Sequence, residues 1–145
     1  MKDELLLQQW RLCVEMADKM SQRRSLTNSL FITINIGMIS VYFSLSHWSQ
    51  VAVSIFVVII NCVWWQNIKS YKLLNGAKFK VILEMEKELP CQAFGNEWNF
   101  LQADDEYKNL TDVEKWLPLI FGVSFALYGF FVFNCGLSYS SNVLL

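Results

Sequence analysis

From Asn28 to Ile68 the chain runs 41 residues without one Asp, Glu, Lys or Arg. An α-helix needs about 20 mostly apolar residues to cross a bilayer core. This stretch holds two such segments, broken only at Ser46-His47-Trp48-Ser49-Gln50. The expectation is a tight transmembrane hairpin, Thr27–Ser46 going out and Gln50–Asn67 coming back. A third apolar run, Leu117–Leu137, repeats the signal near the C-terminus. The charged residues are partitioned accordingly: all lie in Met1–Thr27 or Lys69–Trp116. A soluble core would scatter charge through every segment, whereas spans exclude it.

The fold class that follows is an all-α membrane protein in five parts. Residues 1–26 form an amphipathic helix, 27–68 the hairpin, 69–116 a helical segment, 117–137 the third span and 138–145 a tail. Lys and Arg occur before the first span and between the second and third, and are absent from the 46–50 break and the tail. The positive-inside rule then makes both charged regions cytoplasmic, with the N-terminus inside and the C-terminus outside. The first apolar run starts too late for a cleaved signal peptide and reads as a retained span. Cys13, Cys62, Cys91 and Cys135 lack disulfide-framework or zinc spacing. A net charge of −1 gives no global basic field for bulk nucleic-acid binding.

In Asp3–Arg24, Leu6, Trp10, Cys13, Ala17 and Met20 recur at steps of three and four. That face packs on a neighbouring helix, lies on the membrane surface, or joins copies from other subunits in a collar. The first span carries a small-polar stripe, Thr33, Gly37, Ser40 and Ser44, with Asn28 and Asn35 on an adjacent face. The second carries Gln50, Ser54 and Asn61, ending in the Trp64-Trp65 pair at an interfacial aromatic belt. Such stripes serve as packing seams or line a water path in an oligomer. On the second reading the lining set is Asn28, Thr33, Asn35, Ser40, Ser54 and Asn61. Tyr71–Leu89 reads as a helix ended by Pro90, Cys91–Asp105 as an irregular loop, and Thr111–Glu114 as a capping box. Pro118 predicts a kink or a short separate helix before the third span, where Gly122, Ala126 and Gly129 share a face.

No catalytic signature is present. His47 stands in the expected outer loop without an acid or cysteine beside it, and no Asp, Glu, Lys or Arg lies inside a span. The expectation is a protein that is not an enzyme and needs no metal or cofactor. Lys19, Arg23 and Arg24 form a basic cluster just inside the membrane, with Lys78 and Lys80 as further candidates. They anchor to anionic lipid, or hold an anion such as phosphate, for which the arginine fork is suited.

Two stretches resemble a known family. The first is Val14-Glu15-Met16-Ala17-Asp18-Lys19-Met20-Ser21-Gln22-Arg23-Arg24 with Asn28, Phe31 and Asn35. The second is Tyr71-Lys72-Leu73-Leu74-Asn75-Gly76-Ala77-Lys78-Phe79-Lys80-Val81-Ile82 with Glu86, Leu89-Pro90, Glu97-Trp98 and Glu114. Together they resemble the RipA-type small oligomeric bacterial membrane proteins. Those are similar to the SLATT-like effectors found beside nucleotidyltransferases in antiphage systems. The resemblance implies a homo-oligomer, from tetramer to octamer, in the bacterial inner membrane. It also implies a channel-like effector that depolarises the membrane under a nucleotide signal. In the Hailong-type case the signal is oligodeoxyadenylate made by the partner enzyme, and Lys19, Arg23 and Arg24 are then expected near its phosphates. The alternative is a non-conducting scaffold that recruits a cytoplasmic partner through Lys69–Trp116.

Overall fold

The computed structural model describes residues 2–103 and 110–143, with side-chain surroundings for 3–103 and 112–138. Among the described residues five helices follow one another: α1 Lys2–Tyr42, α2 His47–Glu86, α3 Ala93–Ala103, α4 Leu110–Glu114 and α5 Trp116–Val143. No strand occurs among the described residues. Among the described residues three helical segments are long and apolar enough to cross a membrane: Asp3–Tyr42, His47–Glu86 and Asp112–Ser138.

The amphipathic segment and the first span are one unbroken helix, because no Gly or Pro interrupts the chain before Gly37. The second span and the charged helix after it are likewise continuous in α2. The hairpin break falls at Phe43–Ser46, a few residues earlier than expected, and His47 already opens α2. Ser46 acts as the cap. Its carbonyl accepts the Gln50 N–H at 2.9 Å, and its hydroxyl meets Ser49 Oγ at 2.9 Å. Pro118 sits in the first turn of α5, where an N–H is not needed, and the short α4 precedes it. The Thr111 cap and the end of the tail fall on residues whose side chains, or whole structure, lie outside the described set.

The expected loop at Cys91–Asp105 is instead α3, over its described part. The cause is Glu86, a carboxylate only 1% exposed. It accepts the Phe94 N–H at 3.1 Å and the Gly95 N–H at 3.0 Å, two donors at the start of α3 that the helix itself leaves unsatisfied. Phe94 packs its ring against Trp10 at 5.9 Å and Phe79 at 6.0 Å. Trp98 and Phe100 are exposed.

The helices divide between two compact units. Residues 1–26 and 68–113 form the charged unit; 27–67 and 114–145 form the apolar unit. The charged unit buries Ala17, Ile68, Ile82 and Glu86. The apolar unit is a three-helix arrangement around Tyr42, Val57 and Phe125, with Met38, Val53 and Val58 against them. Its buried positions on α2 and α5 recur at threes and fours: Ser54, Val57, Asn61 and Trp64 on one, Phe125, Gly129 and Val132 on the other. That spacing is the 3.5-residue repeat of left-handed helix packing. Closest approach is at Gly129, where an added Cβ would stand 2.5 Å from Ser54 Cβ. At Gly122 the same atom would meet Asn61 Cβ at an ordinary 3.5 Å.

Gly129→Ala is therefore expected to force α5 off α2 and cost about 1–3 kcal/mol, as overpacking does, while Gly122→Ala stays near wild type. Unfolding of both variants in detergent micelles, followed by helical circular dichroism, checks the difference.

Candidate functional site

Between α1 and α2 of the apolar unit, three polar rungs cross a medium with no water to replace them. Trp64 Nε1 donates to Asn28 Oδ1 at 2.9 Å, and the Trp64 ring stacks on Phe31 at 5.4 Å. Asn61 Nδ2 donates to Asn35 Oδ1 at 2.9 Å. Tyr42 Oη and Ser54 Oγ are 2.7 Å apart. Spare donors turn back on their own helices: Asn35 Nδ2 to Phe31 O at 2.8 Å, Asn61 Nδ2 also to Val57 O at 2.9 Å. Asn61 Oδ1 is buried with no hydrogen-bond partner. An amide left unpaired in hydrocarbon costs several kcal/mol, so the ladder sets the hairpin register.

The six sequence-nominated lining residues thus separate into two groups. Asn28, Asn35, Ser54 and Asn61 are buried inside the protomer. Thr33 and Ser40 are exposed, and their hydroxyls donate to Ser29 O at 2.9 Å and Ile36 O at 3.0 Å. Gly37 and Ser44 are exposed beside them, with nothing near a Cβ built on Gly37. Within the apolar unit, then, α1 turns a narrow stripe of small and polar residues outward, flanked by exposed Leu30, Ile36 and Val41. The outward faces of α2 and α5 are bulky and apolar, with Ile55, Phe56 and Ile59 on one and Leu127, Phe130 and Phe131 on the other. Of the tryptophan pair, Trp64 is fully buried and Trp65 is exposed.

The nominated cations all belong to the charged unit. Lys19 and Arg23 are one turn apart on the exposed side of α1; Arg24 is half-buried. Lys19 Nζ lies 2.6 Å from Glu15 Oε1, and this hydrogen bond holds the Glu15 carboxyl below the usual carboxylate range. Lys78 is half-buried and Lys80 exposed. Two residues apart on a helix, they point about 160° away from each other. No group of three or more His, Cys, Asp or Glu that could hold a metal occurs among the described residues.

The model of the octameric membrane protein family (8xMP) matches residues 7–134. The chain belongs to this family. The match spans both units, and with three helices able to cross a membrane it makes the protein an oligomeric membrane protein. Neither a curated protein nor a solved structure matches the chain.

Sequence reasoning did not single out Tyr42, the third rung, or the capping role of Glu86. Tyr42 carries a detectable signal, seven residues beyond Asn35 and fourteen beyond Asn28 on one helical face. Glu86 carries none, because its partners are backbone N–H groups.

A double-mutant cycle on Asn35→Ala and Asn61→Ala is expected to give a coupling of about 0.6–1.7 kcal/mol, the range for hydrogen bonds between membrane helices, measured by unfolding in micelles. Glu86→Ala is expected to release α3, seen as faster amide exchange at Phe94 and Gly95 and a loss of about 1.5–3 kcal/mol. Unchanged exchange at both amides would refute the capping role.

Proposed function

We propose that this member of the octameric membrane protein family is a channel-like effector whose water path is lined by the outward face of α1. One observation carries the reading: on α1 a small, polar stripe of Thr33, Gly37 and Ser40 faces out of the apolar unit between exposed Leu30, Ile36 and Val41, whereas Ile55, Phe56 and Ile59 face out on α2 and Leu127, Phe130 and Phe131 on α5. Small side chains leave room for water or for a close neighbouring helix, which bulky ones fill. Eight copies would place this stripe around a common axis and leave the apolar faces for lipid.

In the same reading the charged unit is cytoplasmic and the N-terminus inside, in the inner membrane, in keeping with the lysine and arginine distribution. Lys19 and Arg23, repeated by symmetry, make a ring of cations suited to a nucleotide or oligonucleotide. The ligand gates by binding the open and closed assemblies with unequal affinity. Resemblance to SLATT-like effectors supports a role in antiphage defence, with oligodeoxyadenylate from a nucleotidyltransferase as the signal and depolarisation as the outcome. The protein acts without catalysis.

The test is ion flux through purified protein in liposomes, with and without a short oligodeoxyadenylate. Flux that changes with the oligonucleotide is expected. Ser40→Leu should abolish most of that flux, and Arg23→Gln should remove the ligand response while leaving the flux. Absence of flux in both conditions, at verified incorporation, would instead favour the non-conducting scaffold.

A further inference from the structure

The charged unit exposes two apolar strips that its own helices do not cover. On α1, Leu5, Leu12 and Met16 are 56%, 57% and 46% exposed. They lie within about 40° of one another around the helix. They stand beside the inward face made by Trp10, Cys13 and Ala17, not on it. On α2, Leu73, Leu74 and Val81 are 75%, 51% and 52% exposed, within about 100° around that helix. Contiguous exposed apolar surface outside a membrane marks an interaction site.

Family membership says what covers them. Copies inserted in a bilayer the same way round are related only by rotation about the membrane normal. Such a ring is heterologous: each subunit uses two different patches, one for each neighbour. One strip on α1 and another on α2 meet that requirement.

Height and charge agree with the pairing. The Trp10 ring packs on Phe94, and Phe94 on Phe79, which sets α1 near residue 10 level with α2 near residue 79. The two helices run antiparallel, so α1 residues 5–16 stand level with about residues 84–73 of α2, and Leu12 and Val81 lie within about one helical turn of each other in height in every copy of a ring. Segment 3–18 carries Asp3, Glu4, Glu15 and Asp18 against Arg11 alone, while the level segment 71–86 carries Lys72, Lys78 and Lys80 against Glu84 and the buried Glu86. Opposite signs across a contact fix its register and suppress wrong partners.

We propose that the α1 strip Leu5–Leu12–Met16 of each subunit packs against the α2 strip Leu73–Leu74–Val81 of its neighbour, closing the octamer outside the apolar spans. This holds whether or not the assembly conducts. The test is disulfide cross-linking in membranes of a chain with its four native cysteines replaced by serine. The combination Leu12→Cys with Val81→Cys should give an oxidant-dependent ladder up to eight subunits, and either change alone should give none. Dimers from Leu12→Cys alone would overturn the proposal, since they show like strips meeting. So would absence of cross-links in the double variant while native mass spectrometry still shows the octamer. If the cysteine chains do not assemble, Leu12→Asp in the otherwise native chain decides. It should lose the octamer at unchanged helix content, and an intact octamer there would show the strip to be covered by lipid or left open.

Discussion

In hydrocarbon a polar side chain has no solvent to fall back on, so the three rungs between α1 and α2 constrain everything built around them. Each couples a residue from the first span to one from the second: Asn28 with Trp64, Asn35 with Asn61, Tyr42 with Ser54. Apolar packing alone would let one helix slide past the other at little cost, because lipid tails are as apolar as leucine. A slip by one turn would strand all three pairs at once. The ladder therefore contributes more to register than to stability, since each rung is worth only about 0.6 kcal/mol on average by comparison with other membrane helices.

Fixing the hairpin also fixes where α5 fits. Ser54 and Asn61 are rung residues on α2, and Gly129 and Gly122 are the residues of α5 that approach them. The small side chain of Ser54 and the missing one of Gly129 let α5 come close enough to cover the Tyr42–Ser54 rung, with Phe125 and Tyr128 closing over Tyr42 at 5.6 and 5.5 Å. Asn61 Oδ1 is the group this close fit leaves without a partner. One amide rung, with its donors also turned to its own helices, satisfies every group but this one.

Much of this was legible in the sequence, and the boundary has a physical origin. Absence of charge announced the spans, since one uncompensated ion in lipid is prohibitive, and the all-helical class followed. The spacing of Asn28 and Asn35 identified polar groups on the first span, but spacing alone does not tell a seam from a lining. Which it is depends on whether a partner stands opposite, and the partners Asn61 and Trp64 lie 26 and 36 residues away. The helix at Ala93–Ala103 was hidden for a similar reason. The stretch after Pro90 has weak local signals, and its start is held by a carboxylate seven residues earlier, at Glu86.

Sorting the polar residues into inward and outward sets changes what the apolar unit can be. If Asn35 and Asn61 had faced outward, a single protomer would have had no specific hairpin and the oligomer would have had to supply their partners. Because they face inward, the hairpin is specified within one chain, and the outward face of α1 is free of any duty to hold it. That face is where Thr33, Gly37 and Ser40 lie, and the Thr33 and Ser40 hydroxyls satisfy themselves on their own backbone. A stripe that needs no partner of its own tolerates lipid, water or a neighbouring helix in turn. Such tolerance is what an assembly requires if its central helices are to move between two packings without unfolding any subunit.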